Sequence, residues 1–103
     1  MSSDEKIDAS YMPFPNPDVI LQEEENGSAV LVNLDTGNAV SLNLVGRFIW
    51  DITDGNISVA EIINEIKQNF SNVPDDISEE VIILVNTLKQ NGFFGYVIKN
   101  GQI

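Results

Sequence analysis

The spacing of apolar residues changes once along this chain, near Asn43, and that change constrains the fold more than any other feature. Before it, apolar side chains come in short runs: Val19-Ile20-Leu21, Ala29 to Leu34, and Ala39-Val40-Ser41-Leu42. Runs of this length, separated by Asn26-Gly27 and by Asp35-Thr36-Gly37, read as three strands of an antiparallel meander. Asn26-Gly27 predicts a type I′ hairpin turn, and Gly37 can take the positive φ that the second turn needs. The third strand is short, and at least one of the strands must be a sheet edge.

After Asn43 the apolar period becomes about 3.6 residues, the signature of helix. Asn43 is placed to cap a first helix with the stripe Val45, Phe48, Ile49 and Ile52, ending near Asp54-Gly55. Ser58 with Glu61 three residues on forms a capping box for a second helix, whose stripe is Val59, Ile62, Ile63, Ile66 and Phe70. Pro74-Asp75-Asp76 introduces a third, with Asp76 and Glu79 suited to the positive end of its dipole. Its stripe is Ile77, Val81, Leu84, Val85 and Leu88, and Gly92 stops it. Phe93 to Ile98 is a last apolar run, expected to be extended and packed back on the core. The class is therefore α+β: a three-stranded antiparallel sheet, three helices and a short C-terminal extended segment.

With 103 residues the chain has room for one domain. Its expected limits are 18–99, between an N-terminal tail of residues 1–17 and a C-terminal tail of 100–103. Alternating prolines in Pro13-Phe14-Pro15-Asn16-Pro17 forbid helix in the N-terminal tail, which reads as a flexible arm tacked on by Tyr11 and Phe14. Apolar residues make up 43% of the sequence, enough to form a core and to argue against disorder.

The chain has no cysteine and no histidine, which removes thiolate nucleophiles, zinc ribbons, iron–sulfur clusters and the commonest neutral-pH base. No catalytic constellation stands out, no cofactor or metal is implied, and the expectation is a non-enzyme. Asp75, Asp76, Glu79 and Glu80 lack the spacing and glycine of a calcium loop and are explained by the helix start. The run Glu23-Glu24-Glu25 reads as a solvated strand end or as a contact for a basic partner. A formal net charge of -11 opposes binding to nucleic acid and to anionic membranes. The charged N-terminus offers no signal peptide, and no apolar run approaches a spanning helix, so the expected location is the cytoplasm.

The third helix has more apolar surface than one core stripe requires. With Ile77, Val81, Leu84, Val85 and Leu88 inward, Ile82 falls on a flank and Ile83 toward solvent. A contact with the C-terminal run or a second copy would cover them, and so would a ligand. A helix flank beside a sheet edge is suited to an extended peptide: the edge supplies backbone groups and the helix supplies pockets. On this reading the site pairs the edge Asn38, Ala39, Val40, Ser41 and Leu42 with Val81, Ile82, Val85 and Leu88.

The segment Ser41 to Gly55, with its Leu42-Asn43, Ile49-Trp50 and Asp54-Gly55, followed by Ile57 to Ile62, resembles the PqqD family. Val81, Leu84, Leu88 and Gly92-Phe93-Phe94 match that family's last helix and its ending, so the resemblance runs from about Pro17 to Ile98. It implies a winged helix-turn-helix-like domain acting as a peptide chaperone, or precursor-peptide recognition element. Such a protein binds the leader of a ribosomally made peptide between the third strand and third helix. It then presents the peptide to a modifying enzyme, commonly a radical SAM enzyme. By position the resemblance adds Lys89 to the site. Nothing in the chain ties it to pyrroloquinoline quinone in particular.

Two other readings use the same architecture. A winged-helix DNA-binding regulator would insert the third helix into the major groove, but its leading turns carry Asp75, Asp76, Glu79 and Glu80, with Lys89 its only basic residue. A structural subunit would bury Ile82 and Ile83 against a second copy, as a homodimer.

Overall fold

The computed structural model describes residues 7–95. Three strands, β1 (Val19–Glu23), β2 (Ala29–Asn33) and β3 (Ala39–Leu42), are followed by α1 (Leu44–Ile52), α2 (Val59–Asn69) and α3 (Ile77–Gln90). The sheet is antiparallel in the order β1-β2-β3, with Leu21 opposite Leu31 and Leu31 opposite Val40. Alternation sends Ala29, Leu31, Asn33 and Leu42 inward, where all are buried. The α+β class and the element order are those expected from the spacing.

One turn differs from expectation. Type I′ needs positive φ at both Asn26 and Gly27, and only Gly27 has it, at 89°. The Gly27 N–H donates to the Glu24 carbonyl, the Glu24 N–H donates to the Ser28 carbonyl, and the Asn26 side chain accepts from the Ser28 N–H and hydroxyl. This is the longer hairpin loop that closes on one left-handed glycine. Within it the Asn26 carboxamide bonds forward to Ser28 as an Asx turn.

The helix starts follow from local chemistry. The Asn43 side chain accepts from the Gly46 N–H at 2.8 Å, so Asn43 alone separates β3 from α1. Ser58 and Glu61 form the expected reciprocal capping box. Asp76 occupies the cap position of α3 without a side-chain hydrogen bond. The core joins Leu31 and Leu42 of the sheet to Ile49, to Val59, Ile62 and Ile66 of α2, and to Val81, Val85 and Leu88 of α3. Burying each such side chain stabilises the fold by about 1.5–3 kcal/mol. Stacked Trp50 and Phe94, with ring centroids 5.3 Å apart, close one end.

The segment ahead of β1 lies along the body. A helix leaves its first N–H groups without partners inside the helix. In α2 two of them are taken by this segment, since Val59 donates to the Tyr11 carbonyl and Ala60 to the Ala9 carbonyl. Gly55 donates to Pro13, whose side chain is buried, and Gly95 donates to Phe14. Pro15 pairs with Phe94 as an isolated antiparallel bridge. The expected extended C-terminal run is described only to Gly95; Tyr96 to Ile98 lie outside the described residues.

Candidate functional site

Among the described residues the sheet order leaves β3 bonded on one side only. The Asn33 N–H donates to the Asn38 carbonyl at 2.8 Å. In an antiparallel pair, bonded and non-bonded residues alternate. With Leu31 opposite Val40 and Ala29 opposite Leu42, Val40 and Leu42 direct their backbone groups at β2. Ala39 and Ser41 direct theirs outward, to the free edge. That edge offers the N–H and C=O of two residues, spaced as an added strand requires.

Opposite the edge stands α3, which runs in the reverse direction to β3. Two cavities lie between them. The larger, about 660 Å³, is at the end of β3 and is lined by Ser41, Leu42, Asn43, Val45, Gly46 and Ile49 on one wall and by Pro74, Ile77, Glu80, Val81 and Leu84 on the other. The smaller, about 230 Å³, lies between Asn38-Ala39-Val40 and Thr87, Leu88, Asn91 and Phe93. Helical spacing explains which residues of α3 contribute: Glu80, Leu84, Thr87 and Asn91 fall on one flank, beside the buried stripe of Ile77, Val81 and Leu88. Among the described residues, Glu80 is the only charged one that lines either cavity.

A buried polar residue ties the two walls together. Asn33 is 2% exposed; its Nδ2 donates to the Gly92 carbonyl at 2.9 Å, and its Oδ1 accepts from the N–H groups of Asp35 and Thr36. The turn that leads into β3 is thereby fastened to the residue that ends α3. Asn16 donates to the same Gly92 carbonyl. Gly92 has φ of 86°, which strains any side chain, and a Cβ there would also crowd Asn33 Nδ2 at 3.2 Å.

Electrostatics elsewhere are local. Arg47 bonds Glu23 at 2.6 Å and approaches Asp51 at 3.4 Å, and the Glu23 contact raises the Arg47 pKa above its ordinary value. The acidic run that starts at the last residue of β1 therefore has its first member, Glu23, paired. Among the described residues no group of His, Cys, Asp or Glu is arranged to hold a metal ion, and no helix is long and apolar enough to cross a membrane.

The sequence profile described as Coenzyme PQQ synthesis protein D (PqqD) matches residues 28–93, more than half of the chain. This chain belongs to the PqqD family. Among curated proteins none matches it. The PqqD-family fold seen here is shared with two solved structures. One is TbiB1 in complex with the TbiA(beta) leader peptide, at 21% identity and a TM-score of 0.66, covering 82% of this chain and 98% of that one. The other is lasso peptide synthetase B1 complexed with the leader peptide, at 20% identity and a TM-score of 0.67, covering 82% and 99%.

Within this PqqD-family chain, the residues expected at the site divide. Asn38, Ala39, Val40, Ser41, Leu42, Val81 and Leu88 line the two cavities. Val85 is fully buried beneath them. Ile82 and Lys89 line neither: Ile82 packs half-buried on the core, and the Lys89 Nζ sits 5.5 Å from the centre of the Tyr11 ring. Cavity-lining residues that sequence reasoning did not place beside the edge include Glu80, Leu84, Thr87, Asn91 and the start of α1. The spacing of 80, 84, 87 and 91 is visible in the sequence, but nothing there says which flank of α3 turns to the sheet edge.

Proposed function

We propose that this protein recognises the leader segment of a ribosomally synthesised precursor peptide. The peptide adds as a fourth strand to β3 and sends alternate side chains into the cavities against α3. The observation that carries this reading is the edge of β3 left unpaired among the described residues, with Ala39 and Ser41 directed outward beside two mostly apolar cavities. Membership of the PqqD family, and the leader peptides named with the two structures of the same fold, support it. The proposed contacts are Asn38 to Leu42, Val81, Leu84 and Leu88, with Ile82 and Lys89 on the opposite flank. The chain itself does no chemistry in this scheme. It holds the peptide for a modifying enzyme, and a radical SAM enzyme is the first candidate.

Titration calorimetry against a candidate precursor peptide, sought by sequencing around this gene, tests the reading. Ser41→Pro removes an outward donor without taking a bond from the β2–β3 ladder, so it should leave the fold intact and weaken binding at least about tenfold. Absence of binding to that peptide, with and without a modifying enzyme sought in the same way, sinks the proposal.

A further inference from the structure

The two cavities of the groove differ in size and in charge, and the difference specifies a peptide pattern. In an added strand, the residues opposite Leu42 and Val40 point toward the same face and lie about 6.6–6.8 Å apart. That face is the one on which Leu42 is buried and α3 stands. The side chain opposite Leu42 enters the cavity of about 660 Å³. The one opposite Val40 meets the cavity of about 230 Å³, walled by Thr87, Leu88 and Phe93. Because α3 runs in reverse to β3, Glu80 lies one turn beyond Leu84, toward Asn43 and away from the small cavity. Its carboxylate has no ion-pair partner among the described residues.

We infer that the groove selects an extended segment carrying three side chains at alternate positions: a Lys or Arg beside Glu80, a bulky apolar residue in the large cavity, and a small residue at the narrow end. This rests on the peptide-binding reading and adds to it the class of sequence recognised. The order along the strand is cation, bulky, small, read in whichever direction the strand is added. The intervening residues point to the outer face with Ala39 and Ser41, where nothing in the described chain contacts them.

The test is selection of a random twelve-residue display library on the immobilised full-length protein, in parallel with the Glu80→Lys variant. The expected result is enrichment of a bulky residue flanked at alternate positions by a cation and a small residue, with the cation replaced by Asp or Glu on the variant. For one enriched peptide measured by fluorescence anisotropy, Glu80→Gln weakens binding about two- to fivefold, the range of an exposed ion pair. The same substitution leaves a norleucine-for-lysine version of the peptide unchanged. Enriched peptides that lack the alternate pattern, or whose charge does not follow position 80, overturn this inference while peptide binding stands. Enrichment of no sequence at all overturns the peptide-binding reading itself. Thermal melts of both variants check that each remains folded.

Discussion

Along α3, Ile82 and Lys89 stand on one side of the buried stripe, and Glu80, Leu84, Thr87 and Asn91 stand on the other. On the first flank the neighbour is the protein's own N-terminal segment, with Lys89 lying over Tyr11; Ile82, like Leu84 on the other flank, packs partly buried on the core. The second faces open cavities and the unpaired edge of β3. Both flanks carry an aliphatic residue beside the stripe, so hydrophobicity alone does not separate a structural flank from a binding flank. What separates them is the neighbour. The N-terminal segment reaches one side because its carbonyls are held by the free N–H groups at the start of α2. The other side faces a strand whose outward groups have no strand partner among the described residues.

Ile82→Asp sets a charge against the core side and should lower stability by about 3 kcal/mol, read by chemical denaturation. Stability within ~1 kcal/mol of the parent would show that this flank is not a packed one. Asn33→Ala releases the turn before β3 from Gly92 and should cost about 2 kcal/mol, with a larger proportional loss of peptide affinity than of stability. Equal losses would mean that the link does not set the width of the groove. Leu84→Ser removes apolar surface that borders the large cavity. About 1 kcal/mol of stability is expected to go, while affinity for the leader drops roughly tenfold, and the comparison breaks if Leu84→Ser and Ile82→Ser weaken binding alike. Lys89→Ala removes the cation over Tyr11 and should cost about 0.5–1 kcal/mol with no change in peptide affinity.

The same arm supplies a pH effect, the smallest of the set. Burial raises the Tyr11 pKa above its ordinary value of 10.0, because the folded state disfavours the charged phenolate. Its contribution is complete below the unfolded pKa and is lost as pH rises through the raised folded value. The melting temperature of the parent should therefore fall more steeply above about pH 10 than that of Tyr11→Phe. Parallel profiles would remove Tyr11 from the docking of the arm.

Much of this was legible beforehand for a definite reason. Strand and helix periods, the Ser58–Glu61 box and the Asn43 cap depend on residues close together in sequence, and those forces act within a turn or a pleat. The free edge was partly legible, since a three-stranded meander has an edge at β3 by construction. The type I′ turn was misjudged because the dipeptide rule reads two residues, whereas this loop is longer, with Asn26 bonded to Ser28. Nor did sequence reasoning anticipate Asn33, whose side chain bonds Gly92 across 59 positions. An asparagine ending a strand looks like any turn residue until its distant partner is in place.

By itself the sequence determined which residues are inward and where each element starts, because burial follows period and capping follows local bonds. It also determined family membership, and with it a class of partner to test. Only the tertiary structure decided which flank of α3 faces β3. That choice depends on how the helix is rotated when the core closes and the N-terminal segment docks, and both flanks carry the same periodic signal. The cavities border Leu84 and Glu80 rather than Ile82 and Lys89, a difference of less than one helical turn, and on the peptide-binding reading the groove would carry an anion in place of a cation.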